Sequence, residues 1–309
     1  MARYILQYAV HTLDNKELLP AGTLLSDDVL EELRAAGKAL GFKSSRLMSY
    51  GTVKKDMLDF FSGPPYDVIF NVPGRTGPIM EIIENVRLVL PVLESLDYFK
   101  ENDFYTYRHI LLVFALSILL SRELLGDRRD LMAEAVASPS HDFGKICVPL
   151  DILKKSEALT FSERRQLEHH TLAGYTLLQY YFNHTREPGP FAARIARDHH
   201  ERKNGSGYPI GIRFNDLMLE IVVVSDVYDA LLSPRPYRSA SYENRAALEE
   251  LCQMAEWGMV SWEVVKVLVA CNRKEQTDFR TCAISGEHRG VPPVDNLYGI
   301  VVDKGSEKK

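Results

Sequence analysis

The chain has only four cysteines, Cys147, Cys252, Cys271 and Cys282, and no two of them stand in C-x-x-C spacing. That excludes a thiolate zinc module and a disulfide-stapled scaffold, and it fits a reducing compartment. Long hydrophobic runs are missing as well. The most apolar stretch, "ILLVFALSILL" from Ile110 to Leu120, has 11 residues, whereas crossing about 30 Å of hydrocarbon takes roughly 20. Flanked by Arg108 and Arg122, it is expected to be a buried core helix. The amino terminus, "MARYILQYAVHTLDNK", has no long apolar core and no small-residue cleavage site, so no signal peptide is read there. Positive charge is not in excess either: the net charge is -5 and the pI near 6.0. Nucleic-acid polymers and membrane insertion are therefore not expected, and an anionic substrate would need local positive charge or a metal. A cytoplasmic protein is the expectation.

What is present is an ordinary globular composition, 46% hydrophobic and 26% charged over 309 residues, enough for one large domain or two smaller ones. Residues 1–78 mix extended and helical signals and read as a small α+β regulatory or docking domain without chemistry of its own. "YILQYAV" alternates weakly like a strand. "LPAGTLLSDDVLEELRAAG" reads as a turn and a helix capped by Ser26 and ended by Gly37. "FFSGPPYDVIFNVPGRTGP" reads as loops around a short strand. Residues 79–273 read as an all-α domain of about seven or eight helices. Among them, "IMEIIENVRLVLPVLESLDYF" is a helix that Pro91 could kink. Ser162 opens another with a capping box, and Asn215 caps a third. Residues 274–309 read as an irregular arm with a frayed end.

Histidines and carboxylates recur along the helical part. Starting at His109, the next members are His141 with Asp142, then His170, then His199 with His200, then Asp226, at gaps of 32, 29, 29 and 27 residues. Two helices of ordinary length return the chain to its starting level over about that distance. Such gaps gather these side chains at one end of a bundle, where helical proteins build metal sites. Imidazole and carboxylate without thiolate suit iron, manganese or another first-row metal. Seven ligands are too many for one ion with an open position, whereas two ions could share Asp142 through its two oxygens. Ions about 3.5–4 Å apart activate water and neutralise a phosphoryl group in flight.

Four ordered motifs, "HDFGKICVPLDIL", "HTLAG", "HHERKNGSGYPIG" and "SDVYDALLSPRPYR", resemble the HD-GYP family, a branch of the HD-domain metal-dependent phosphohydrolases. The likeness covers roughly residues 100–270. It implies an HD-type helical bundle and a cyclic di-GMP phosphodiesterase giving linear pGpG and in some members GMP. By motif matching, His109, His141, Asp142 and Asp226 hold one divalent ion, of iron or manganese, and Asp142, His170, His199 and His200 hold the other. Lys145 matches the lysine that contacts the scissile phosphate, and Asp142 and Lys145 are the catalytic pair. Tyr208 matches a substrate-lining residue, and Arg235 and Arg238 match basic residues that reach the nucleotide phosphates. The glycines before Tyr208 let the chain turn tightly, so that Tyr208 and Pro209 form a lip over the site.

The chain departs from the family pattern at four places. Tyr105 stands where three-metal members carry a glutamate, so two ions are expected. Asn204, Glu220 and Pro139 replace an aspartate, an arginine and an apolar position. These leave open a low-activity sensor or adaptor with a signalling partner or as a homodimer, or a hydrolase of another cyclic dinucleotide. Around the motifs, His169 is set aside in favour of His170, whose H-x-x-x-G spacing reaches Gly174. Glu201 could orient a ligand histidine or pair with a neighbouring arginine. Asp229, one turn past Asp226, could back a ligand or cap a helix.

Overall fold

A computed structural model describes residues 4–126, 137–182, 189–234, 240–273, 278–285, 289–293 and 301–302. The chain is mainly α-helical. Short antiparallel pairs open it: β1 (Tyr4–Ile5) with β4 (Leu24–Leu25), and β2 (Val10–His11) with β3 (Glu17–Leu19). Helix α1 (Asp27–Leu40) starts at Ser26, whose hydroxyl accepts from the Val29 amide. It runs through Gly37, which is buried beside Leu30 and Leu33, and stops at Gly41, in the left-handed region at φ 62°. Gly37 is thus a packing residue and Gly41 the terminator.

The Pro/Gly-rich stretch after α2 (Val53–Ser62) holds a helical turn, α3 (Asp67–Phe70), rather than the expected strand. Burial of Tyr66, Ile69 and Phe70 decides this: a turn places all three against the core. The expected single helix around Pro91 is also divided. Helix α4 (Thr76–Glu84) ends, β6 (Arg87–Val89) pairs with β5 (Ser44–Arg46), and α5 (Leu90–Asn102) begins with Pro91 in its first turn. Proline is favoured there because that amide has no helical partner to lose.

Helix α6 (Phe104–Leu125) starts at Asp103, whose carboxylate accepts from the Thr106 amide. Ile110 through Leu120 are all buried, as the apolar run predicts, and α5 and the helices at Leu217–Leu232 and Trp262–Cys271 pack around it. After α7 (Leu150–Leu153) and β7 (Leu159–Thr160), α8 (Phe161–Glu168) is capped by Thr160, which closes a capping box with Glu163. Thr160 takes this role from Ser162 because Glu163 lies three residues after Thr160 and can bond back to its amide. The chain breaks at His169 and resumes as α9 (His170–Tyr181). Then come α10 (Gly189–Asp198), α11 (Leu217–Leu232), capped by Asp216 rather than Asn215, α12 (Asn244–Glu256) and α13 (Trp262–Cys271).

Leu6, Met57 and Phe70 belong to the same buried cluster as Leu111, Leu177 and Val223. Helix α1 packs on α9, and Arg34 donates to Gln179 at 2.8 Å. In the carboxy-terminal stretch, β8 (Val301–Val302) pairs in parallel with β7. Among the described residues no helix is long and apolar enough to cross a membrane.

Candidate metal centre

Five stretches of the chain deliver the predicted cluster. His109 comes from α6, His141 and Asp142 from the junction between the 3₁₀ turns at 138–140 and 143–147, His170 from the first residue of α9, His199 and His200 from just past α10, and Asp226 from α11. The donor atoms of Asp142, His170, His199 and His200 lie within 4.8 Å of one another, and so do those of His109, His141 and Asp226. Asp142 joins the two groups, and its oxygens are divided between them. Oδ2 is 3.6 Å from His109 Nε2 and 3.5 Å from His141 Nε2. Oδ1 is 3.5 Å from His170 Nε2 and 3.7 Å from His199 Nε2.

The ring orientations have a common cause. His141 Nδ1 donates to the Ser138 carbonyl at 2.7 Å, and His170 Nδ1 to that of Leu167 at 2.6 Å. His199 Nδ1 faces the Ile195 and Ala196 carbonyls at 3.0 and 3.1 Å. A carbonyl only accepts, so each Nδ1 carries its proton and each Nε2 is left as a lone pair turned inward. His109 Nδ1 donates instead to Asp229 Oδ2 at 2.5 Å.

Burial pushes the pKa of His170 down to about 3 and lowers those of His141 and His200, so these imidazoles are neutral at pH 7. Burial alone would raise the Asp142 pKa, but the Lys145 ammonium beside it outweighs this and holds the carboxyl well below its usual range. Neutral imidazoles around anionic carboxylates are the protonation states that metal binding requires. Two atoms of the cluster, Asp142 Oδ1 and His200 Nδ1, are buried without a hydrogen-bond partner among the described residues. A cation supplies what both lack, and a donor set of imidazole and carboxylate fits a first-row divalent metal.

Lys145 is buried, and its Nζ meets Asp142 Oδ2 at 2.6 Å across one 3₁₀ turn. The Tyr208 ring stacks on the His200 imidazole, with centroids 4.6 Å apart and planes 20° apart. Tyr105 stacks in the same way on His109, at 5.5 Å and 17°. Arg235 and Arg238 lie outside the described residues.

Glu201 plays neither of its expected roles. It is fully buried, and its carboxylate accepts from the amides of Ile210, Gly211 and Ile212 at 2.7–3.1 Å. It therefore anchors the loop that carries Tyr208. Gly207 belongs to the same fastening, since a Cβ there would lie 2.4 Å from the Glu201 Cα and the His200 carbonyl. Tyr66 was not signalled by the sequence at all, yet its hydroxyl donates to Asp229, the carboxylate behind His109. His169 is turned away from the cluster, edge-on to Tyr8 at 5.4 Å.

Residues 99–258 match the HD domain family. Over 124 residues the chain is 41% identical to the cyclic di-GMP phosphodiesterase response regulator RpfG of Xanthomonas campestris, a match covering 40% of this chain and 32% of that one. It is 35% identical over 224 residues to a cyclic di-GMP phosphodiesterase of Thermotoga maritima, covering 68% and 58%. It is also 36% identical over 138 residues to the 3'3'-cGAMP-specific phosphodiesterase 3 of Vibrio cholerae, covering 44% and 29%. The chain thus spans about a third to three fifths of the length of these curated relatives.

Proposed function

The chain belongs to the HD-domain family, and from that premise we propose that it is a metal-dependent phosphodiesterase hydrolysing cyclic di-GMP to linear pGpG. The observation that carries this reading is the division of the Asp142 oxygens between two ligand groups, which suits one carboxylate shared by two ions. His109, His141, Asp142 and Asp226 would hold one ion, and Asp142, His170, His199 and His200 the other, with iron or manganese suited to the donors. Bound there, the ions supply an activated water and neutralise charge on the scissile phosphodiester.

The remaining work belongs to side chains. Lys145 would release Asp142 to the ions and turn its ammonium to the phosphate, where negative charge grows as the bond breaks. Tyr208, backed by His200 and held through the Glu201 loop, would wall the pocket on one side. Arg235 and Arg238 would receive the phosphate oxygens as bidentate donors. A second reading is hydrolysis of 3'3'-cGAMP, which the Vibrio relative's name favours. Turnover of the manganese-loaded protein against cyclic di-GMP, 3'3'-cGAMP and a mononucleotide decides between them. Cyclic di-GMP is expected to be turned over fastest, with pGpG as its product. A preference for 3'3'-cGAMP transfers the site to that substrate, and no turnover of any of the three overturns the reading.

A further inference from the structure

Behind His109 lies a buried cluster that residues 99–258 do not contain in full. Asp229 is completely buried. Its Oδ2 accepts from His109 Nδ1 at 2.5 Å and from the Ser233 hydroxyl at 3.3 Å. Its Oδ1 accepts from the Tyr66 hydroxyl, with the Arg108 guanidinium 3.9 Å away. Arg108 donates to Ser233 Oγ at 2.7 Å and lies 5.3 Å from the centre of the Tyr66 ring. Tyr66 is itself fully buried, edge-on to Tyr228. It enters from the amino-terminal side, outside the residues that match the family.

A buried carboxylate bonded on one side only is free to swing, and the imidazole it holds swings with it. Tyr66 removes that freedom by fixing the second oxygen. We propose that Tyr66 is a positioning residue of the metal centre: its hydroxyl fixes Asp229, which fixes the tautomer and ring plane of His109. The amino-terminal segment thereby sets the cation affinity of the group His109, His141 and Asp226. The inference rests on the metal-centre reading above. A tyrosine that served packing alone would alter stability without regard to which group holds the ion.

The test is manganese titration into metal-stripped full-length protein, followed calorimetrically, with thermal unfolding of each variant alongside. Tyr66→Phe removes one hydroxyl and leaves the ring. In a His170→Ala background, where the His109 group remains intact, it should weaken Mn²⁺ binding about tenfold, at the lower end of what partners behind a metal ligand contribute. In a His109→Ala background it should change binding less than twofold, since the chain of contacts is already cut. Asp229→Asn should follow the same pattern. Equal weakening in both backgrounds, or none in the first, overturns the proposal. If wild-type protein takes up no Mn²⁺, the metal reading and this proposal fail together. If it takes up Mn²⁺ but cleaves no cyclic dinucleotide, only the phosphodiesterase reading fails and the Tyr66 result stands.

Discussion

Lys145 and Asp142 share one contact, yet their removal should have opposite signatures. An ammonium cannot ligate a metal, so Lys145→Ala should keep both ions and, once metal-loaded, its melting temperature. What it loses is stabilisation of charge that develops as the phosphodiester breaks. Such losses run to about 10²- to 10³-fold, or roughly 3–4 kcal/mol, so turnover at least tenfold slower is expected, with metal content and kinetics measured on one preparation. Wild-type turnover would remove Lys145 from the mechanism. Asp142→Ala should instead lose both ions, because its two oxygens face both groups and two unbridged cations repel. Elemental analysis checks this, and two ions retained would show that another residue bridges. The seven clustered residues were legible in the sequence because residue type, spacing and motif order agree there. Tyr66 was not, because a tyrosine in a Pro/Gly-rich stretch carries no sign of a carboxylate that lies 163 residues further on. Glu201 stands beside the histidines in the sequence, but its partners are the amides of Ile210 to Ile212, and a carboxylate bonding to loop amides about ten residues away leaves no local pattern of the kind a helix cap does.

Between elements, the centre depends on how closely the turn carrying Asp142 approaches α9. A Cβ at Gly144 would lie 1.9 Å from the His170 carbonyl and 2.4 Å from the Gly174 amide, which are backbone atoms that no rotamer change can move aside. This close approach also explains why a glycine stands four residues past His170. Gly144→Ala should push the turn off α9 and separate Asp142 from His170, costing about 3 kcal/mol of stability and weakening binding of both ions. Gly174→Ala should be milder, since its Cβ would stand 3.2 Å from both the Ala196 methyl and the Gly144 amide nitrogen, well outside the 1.9 Å overlap at Gly144. Urea denaturation and manganese titration of the pair measure the contrast, and equal effects would refute the geometric account. Element boundaries were less legible than the elements. The α4–β6–α5 stretch reads as one helix because its apolar residues keep helical spacing across Asn85 to Val89. What divides it is strand pairing with Ser44–Arg46, a tertiary contact absent from the local pattern. Helix α6 was legible because an apolar run closed by Arg122 admits few other fates.

For the molecule as a whole, the buried histidines make the metal-free fold sensitive to acid. Burial pushes His170 to about 3 and His169 to about 4, from 6.5, and lowers His141 and His200 in the same direction. Below pH 6.5 the unfolded chain takes up protons that these groups refuse in the fold, so stability falls as pH drops from about 6.5 toward 4. His109 opposes this. Burial would lower its pKa, but Asp226 and Asp229 raise it, so its contribution is present below 6.5 and is lost as pH rises through the folded value. Four groups against one leave a net loss of stability on acidification. Asp142, Asp226 and Asp229 have depressed pKa values, so what they contribute is present above 3.8 and is lost only in stronger acid. Ions that bind the folded chain alone add to its stability by mass action, about 2.7 kcal/mol at a hundredfold excess over Kd. Because His141, His170 and His200 are already neutral in the fold, mild acid should scarcely compete with the metal at these ligands. Chelator-stripped protein should therefore melt at progressively lower temperature from pH 7 to pH 5, while the increment on adding Mn²⁺ persists across that range. Thermal unfolding with and without Mn²⁺ measures both. A stripped protein that melts higher at pH 5 than at pH 7 would mean that these histidines are charged in the fold and that the protonation states assigned to the centre are wrong.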